Sequence, residues 1–565
     1  MTKSPDYKNP ISILEIGSII EVDGTKIIAE LSTAIVDLNR IYKGDVYPIG
    51  QFGSVIKIHF GMRIIYAYVA KLRMKSEYNI ERGVASGTDP NSRIIEANLF
   101  GEGEWIEKEL EFERGVTTFP LPRQSVYITP RAELQCILRS KRKSLINIGE
   151  HVGSGGAHCY ADMNELIGKH TAILGATGTG KSGAVATILH AILDHGKIIN
   201  QDKDDKAWNP KIIILDPHDE YGGTFEKSKR VCADEGSLSL PYWLLNFDET
   251  FGLFVGGSKY IAHVKASILE DALLIARREY VSEAQDKKIT VDSPVPYNLD
   301  TLIRLIKDDK RMGAPANEAR ISIPKNIEAL KADPRFDFMM SNSEGQDNFV
   351  EVIRQFLRDD NSVCVINLSG LPNEIAGRTG SIIARTLFSL KIWQERIERE
   401  RSPVLIVCEE AHRYVPNQGD SQYRASQDAI RRIAKEGRKY GIGLFLVSQR
   451  PAEVEPTVLS QCNSWIVLRT TNSEDREQVQ GFLPDSLEGL AKVLSGLRHK
   501  EAIFVGQAAS LPSRILMTDL VEKGKPLPCS HDIDYEEGWQ HAILTDTHLK
   551  EVAERWRTKT KKKDK

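Results

Sequence analysis

The chain has no apolar run approaching the about 20 residues that a bilayer-crossing helix needs. Its opening, MTKSPDYKNP, lacks the apolar stretch of a secretory signal, so a soluble protein without a membrane partner is expected. Cysteine is scarce: the seven residues, at 136, 159, 232, 364, 408, 462 and 529, are odd in number, scattered, and never spaced C-x-x-C. That argues against a disulfide framework and against a zinc site, and a reducing cytoplasm fits best. Cys364 and Cys408 sit inside apolar runs and read as small buried hydrophobes. The net charge of −3 supplies no basic field, so any contact with nucleic acid must be local. The ending RWRTKTKKKDK is strongly basic, yet a terminal charge run reads as a solvated tail before it reads as a binding arm. No internal repeat or low-complexity tract stands out.

What is present is size and rhythm. A chain of 565 residues exceeds what one hydrophobic core normally supports, so two or three domains are expected. Residues 10 to 135 show short β-rich runs, among them SIIEV, TKIIAEL, GSVIKIHF and IIYAYVAKL, with an Asp23-Gly24 hairpin signal between the first two. This predicts a small barrel or sandwich, with LFGEGEW (99 to 105) as one of its loops. From Leu166 the pattern becomes strand then helix: HTAIL, KIIILDPHDEY, VCVINLSGL, VLIVCEEAH, GIGLFLVSQR and SWIVLRTT are apolar strands divided by amphipathic helices. Such alternation predicts a mostly parallel sheet covered on both faces. Between 250 and 350 ASILEDALLIARREY, LDTLIRLIKDD and ANEARISIPKNIEAL carry helical periodicity instead, a helical insertion.

The chemistry is concentrated in a few runs. GATGTGKS (Gly175, Ala176, Thr177, Gly178, Thr179, Gly180, Lys181, Ser182) matches G-x-x-x-x-G-K-[ST] between an apolar strand and a helix. Its glycines let backbone N–H groups face phosphates, Lys181 reaches the β and γ oxygens, and the Ser182 hydroxyl suits Mg²⁺. VLIVCEEAH ends a buried strand in two carboxylates: Glu409 suits the metal, directly or through water, and Glu410 suits polarising an attacking water. Gln449, after the strand GLFLVS, is placed to sense a γ-phosphate, although Ser448, Gln449 and Arg450 at a strand end are a weak signal taken alone. In AIRRIAKEGRKYGIG one of Arg431, Arg432 and Arg438 is a candidate arginine finger, with a solvated helix face as the alternative. Asp216 and His218 of DPHDEY either bind metal or orient the phosphate site, the second being favoured.

GATGTGKS, ILDPHDEY, INLSGLP, VCEEAH, EGRKYG, VSQRP and GQAASLPSRI occur in the order seen in HerA-type proteins of the HerA and FtsK superfamily of hexameric ATPases, which this chain resembles over about residues 10 to 518. The resemblance implies an α/β fold: a RecA-like P-loop ATPase core with an inserted helical bundle and an N-terminal β-barrel. The expected division is 1–140 barrel, 141–248 first core part, 249–350 bundle, 351–518 second core part and 519–565 C-terminal extension with the basic tail. It implies ATP and Mg²⁺ as cofactors and a homohexamer that moves on double-stranded DNA. Carried over, Lys181 and Ser182 serve the phosphate loop, Glu409 and Glu410 the second motif, Gln449 the sensor, and Arg438 the finger in trans. Glu409 departs from the family, many of whose members have Asp there. An effector encoded nearby is implied, a NurA-type nuclease, a sirtuin-like NAD-hydrolase or another nuclease, with the barrel as its docking surface. Two alternatives remain: a nucleotide-regulated ring scaffold that controls an effector without long-range translocation, and a secretion or conjugation ATPase, against which the lack of a membrane segment counts.

Overall fold

The computed structural model describes residues 9–83, 91–107, 109–139, 144–154, 156–199, 208–233, 235–256, 262–281, 287–341, 345–358, 361–417, 424–482, 492–540 and 545–558. Most of the basic tail, residues 559–565, lies outside them.

Nine strands open the chain: β1 (Glu15–Asp23), β2 (Lys26–Leu31), β3 (Asn39–Tyr42), β4 (Asp45–Pro48), β5 (Val55–Phe60), β6 (Arg63–Met74), β7 (Arg93–Ile106), β8 (Glu109–Arg114) and β9 (Ser125–Ile128). Their order is β2-β1-β9-β5-β6-β7, and β2 also pairs with β7, which closes a six-stranded barrel. β8 lies outside on β7, and among the described residues β3 pairs only with β4. The Asp23-Gly24 signal is the β1–β2 turn, where Gly24 takes φ 55°. Alternate residues such as Ile27, Ala29, Ile56, Ile58, Ile65, Ala67, Ile95 and Ala97 fill the interior, as the two-residue period of strands requires. LFGEGEW is not a loop but part of β7. A Cβ on Gly101 would stand 2.5 Å from the Phe112 ring and 2.6 Å from the Glu113 carbonyl, so glycine here lets β8 close onto β7. Under the barrel, α1 (Arg131–Arg139) carries the buried Glu133, which accepts from Lys57 at 2.6 Å and from the Tyr66 hydroxyl at 2.7 Å.

The remaining strands are β10 (Leu145–His151), β11 (Ala157–Asp162), β12 (Thr171–Leu174), β13 (Lys211–Asp216), β14 (Ser228–Cys232), β15 (Val363–Asn367), β16 (Val404–Cys408), β17 (Ile442–Ser448), β18 (Ser464–Leu468), β19 (Glu501–Gly506) and β20 (Ser513–Met517). They form one sheet in the order β11-β10-β20-β19-β18-β12-β17-β16-β13-β15-β14. From β18 to β14 every pairing is parallel, whereas β19, β20, β10 and β11 extend the sheet antiparallel. The two faces divide each apolar run. Ile212, Ile214, Val365, Leu405, Val407, Phe445 and Val447 pack toward α2 (Lys181–Ile199). Ile213, Leu215, Ile366, Ile406, Cys408, Leu444 and Leu446 pack toward the other layer. Burial on both faces is why these strands read as continuous hydrophobic runs.

Between β14 and β15 come α3 (Phe247–Phe254), α4 (His263–Arg278), α5 (Leu299–Lys307), α6 (Ala314–Ala332) and α7 (Phe349–Phe356), whose apolar faces join the core on that second side. Asn246 and Glu249 form a reciprocal capping box at the start of α3. Glu249 also meets Arg385 of α8 (Asn373–Trp393) at 2.6 Å, which ties the inserted helices to the sheet layer. The architecture is thus α/β, with a barrel ahead of a doubly covered, mostly parallel sheet. Residues 529–565 form a separate unit whose helix α9 (Asp546–Thr558) exposes Leu549, Val552 and Trp556. Among the described residues no helix is long and apolar enough to cross a membrane.

Candidate functional site

The loop between β12 and α2 hangs from two neighbouring strand ends. The Gly175 N–H donates to the Ser448 carbonyl at the exit of β17 (3.3 Å), and the Ala176 N–H donates to the Arg469 carbonyl just beyond β18 (3.0 Å). Gly178 and Gly180 take φ 71° and 93°, values that a side chain would strain. Gly175 has no room for one either: its Cβ would stand 2.8 Å from Leu468 Cβ. The Thr179 hydroxyl donates to the Ala176 carbonyl (2.7 Å), bracing the arch. The loop runs into the first turn of α2, where unpaired N–H groups and the helix dipole favour an anion. Lys181 and Ser182 begin that helix.

β16 lies one strand beyond β17, so the carboxylates that follow it emerge at the same sheet edge. Glu410 takes φ 52°, an uncommon conformation for a residue with a side chain. It brings its Oε1 to 3.7 Å from Lys181 Nζ, and both groups are buried. Among the described residues its Oε2 has no hydrogen-bond partner, and it faces His412 Nδ1 at 3.4 Å. Glu409, 4% exposed, accepts a hydrogen bond from the Tyr221 hydroxyl. Burial pushes the Glu409 carboxyl up to about 8, against the opposing pull of the Lys181 charge and the Tyr221 hydroxyl.

Tyr221 is held by the segment that follows β13. Asp216 accepts the backbone N–H groups of His218 (3.2 Å) and Tyr221 (2.9 Å), one on each oxygen. Both Asp216 oxygens are therefore engaged by the turn. Its link to Glu409 runs through Tyr221, the arrangement of an orienting residue. His218 Nε2 faces Arg413 at 3.2 Å.

Gln449 follows β17 between the two motifs, and the Thr177 hydroxyl donates to its side-chain oxygen. A cleft of 370 Å³ opens beside this pair, lined by Ala176, Thr177, Gln449, Arg450, Glu453 and Asp475. Among the described residues no three His, Cys, Asp or Glu side chains gather as a metal cage. Ser182 and Glu409 are oxygen donors of the kind Mg²⁺ takes alongside water and phosphate oxygen, and the buried Glu410 Oε2, next to the pair of Glu410 Oε1 with Lys181, fits a site for water and charged phosphates.

The structure thus brings Gly175 to Ser182, Glu409, Glu410 and Gln449 to one edge. The arginines lie elsewhere. Arg438, exposed, sits just before β17, at the other end of that strand from Gln449. It follows the end of the helix Arg424–Glu436, in a short 3-10 turn closed by Gly441 at φ 73°. Arg431 is engaged by Glu455 (2.5 Å), Asp428 (2.9 Å) and Gln427 (3.1 Å). Arg432 lies over the Phe388 ring and pairs with Glu436 at 3.6 Å. Thr177 belongs to the loop expected to bind the cofactor, whereas Tyr221 and His412 do not stand out in the sequence, although each lies inside a recognised run.

Residues 146–387 match the family model described as Helicase HerA, central domain. The chain is 26% identical over 409 residues to the probable DNA double-strand break repair helicase HerA of Methanocaldococcus jannaschii, covering 65% of this chain and 75% of the relative. It is 26% identical over 432 residues to the DNA double-strand break repair helicase HerA of Pyrococcus furiosus, covering 67% and 71%. Among solved structures, VirB4 of Thermoanaerobacter pseudethanolicus aligns with a TM-score of 0.45 and 18% identity, over 68% of this chain and 100% of that one.

Proposed function

We propose that this chain, whose residues 146–387 match the HerA central domain, is a HerA-type P-loop ATPase, an ATP-dependent translocase and helicase of double-stranded DNA working as a homohexameric ring in the cytoplasm. It acts with an effector, a NurA-type or other nuclease or a sirtuin-like NAD-hydrolase, in DNA end processing or antiviral defence. The observation that carries the catalytic half is the 3.7 Å approach of Lys181 to Glu410 across two strand ends, with Gln449 on the strand between.

Bound ATP with Mg²⁺ supplies the phosphoanhydride bond whose cleavage drives movement. The loop N–H groups and Lys181 hold phosphate oxygens. Ser182 and Glu409 are the residues that hold the metal, and Tyr221 keeps Glu409 aimed. Glu410 takes a proton from the attacking water, a role suited to a buried carboxylate with one unpartnered oxygen. Gln449, bonded to Thr177, couples the state of the phosphate loop to β17. Arg438, far from its own chain's loop, acts on the site of a neighbouring protomer, so hydrolysis depends on ring assembly. The barrel takes the effector; the exposed Ile41 and Val46, paired across β3 and β4, and nearby Val36 support that use.

The test is ATP hydrolysis by the assembled ring with and without duplex DNA at low salt. Stimulation by duplex, falling steeply as salt rises, is expected; a verified hexamer that duplex fails to stimulate refutes translocation. Lys181→Ala and Glu410→Gln should both abolish turnover and effector-coupled activity. If Glu410→Gln binds ATP and still supports the effector, the ring is a scaffold.

A further inference from the structure

The direction of a bound triphosphate follows from the sheet order. β17 and β16, with Gln449, Glu409 and Glu410, flank β12 on one side, and β18 and β19 flank it on the other. The terminal phosphate must face Glu410 and Lys181, so the nucleoside end points toward β18 and β19. Arg498, His499 and Lys500, immediately before β19, cross the phosphate loop there.

Lys500 takes φ 64° and donates its backbone N–H to the Thr179 carbonyl at 3.2 Å. Lys500 Cγ and His499 Nε2 lie 3.4 and 3.5 Å from where a Cβ on Gly180 would stand. The strap is anchored from behind. Glu501, fully buried, accepts the Arg498 backbone N–H (3.0 Å), its guanidinium (2.8 Å) and the Arg514 guanidinium (2.9 Å). The Lys500 amine is bound to Asp519 at 2.7 Å, which keeps that charge off the phosphates. A strained left-handed residue held this firmly is a positioned feature. His499 is left exposed, its ring against the last glycine of the loop.

We propose that residues 498–500 form the nucleoside wall of the ATP site within the same protomer, with the His499 ring packing against ribose and base. This deepens the ATPase reading and rests on it. The test measures binding of ADP and of inorganic tripolyphosphate to the full chain by calorimetry. His499→Ala should weaken ADP about tenfold, the scale of one lost ring contact, and leave tripolyphosphate unchanged, while His499→Phe, which keeps a flat ring, retains most ADP affinity. Lys181→Ala should weaken both ligands. An ADP affinity within about twofold of wild type in His499→Ala, with Lys181→Ala still defective, overturns the wall and spares the ATPase reading. Equal loss of ADP and tripolyphosphate, or equal loss in His499→Phe, also overturns it, because the ring would then contact phosphate or act only by a hydrogen bond. Wild-type binding of both ligands by Lys181→Ala would bring down the ATPase reading itself.

Discussion

Replacing Tyr221 by Phe removes one oxygen from the site and almost nothing else. The ring is fully buried and its backbone N–H stays on Asp216, so packing and turn are preserved. What is lost is the donor to Glu409, a carboxyl 4% exposed. A buried acceptor deprived of its partner forfeits about 1.5–3 kcal/mol when charged, and less when neutral. If Glu409 is aimed correctly only while Tyr221 holds it, that energy is lost from the transition state, so kcat falls by about tenfold to a hundredfold at 1.36 kcal/mol per decade. The phosphate loop is untouched, so nucleotide affinity stays near that of wild type. The assay is steady-state ATP hydrolysis across a Mg²⁺ titration, with ADP binding as control and thermal unfolding of the nucleotide-free protein as a check on folding. A rise in the Mg²⁺ needed for half-maximal activity accompanies the fall in kcat. Wild-type kcat and Mg²⁺ dependence in a folded Tyr221→Phe would refute the claim that Glu409 is positioned through Tyr221.

Gly175→Ala sets a methyl 2.8 Å from Leu468 Cβ and 3.0 Å from the Thr179 hydroxyl, both parts of a packed strand end and a braced loop. The expected cost is about 1–3 kcal/mol of strain, read as a lower unfolding midpoint together with weaker ADP binding; an unchanged pair of values would show that the loop gives way freely. Acid sensitivity has a stated source. Burial pulls His170 and His151 down to about 4 from an ordinary value near 6.5, and the His170 Nδ1 accepts the Leu444 N–H at 3.0 Å. The folded state therefore binds fewer protons than the unfolded state, so this stability is present above pH 6.5 and is lost as pH falls toward 4, on the order of 3 kcal/mol for each residue. His170→Asn, which keeps an acceptor and tolerates the local φ of 58°, should flatten the decline in denaturation midpoint between pH 6.5 and 4; the same slope in both proteins would exclude His170 as a source.

The phosphate loop and the carboxylate strand were legible because their signals are local. A glycine spacing that only one kind of turn accepts and a four-residue apolar run ending in charge need no knowledge of neighbours. LFGEGEW misled for the opposite reason: its glycines mark where a separate strand presses in, and β8 cannot be seen from within the run. Tyr221 and His412 were visible as letters but not as parts of the site, since nothing in their spacing tells which strand end they will face.

The sequence alone determined the α/β alternation, the two-faced burial of the core strands, the helical insertion and the tight glycine turn between β12 and α2, all consequences of periodicity and backbone permissiveness over short stretches. Only the tertiary structure decided that β17 lies between the lysine loop and the glutamates, that Tyr221 donates to Glu409, that Arg438 stands at the far end of its strand and that the strap at 498–500 crosses the loop. These depend on strand order and on contacts between residues hundreds of positions apart, which are settled by how the layers pack and not by any local pattern.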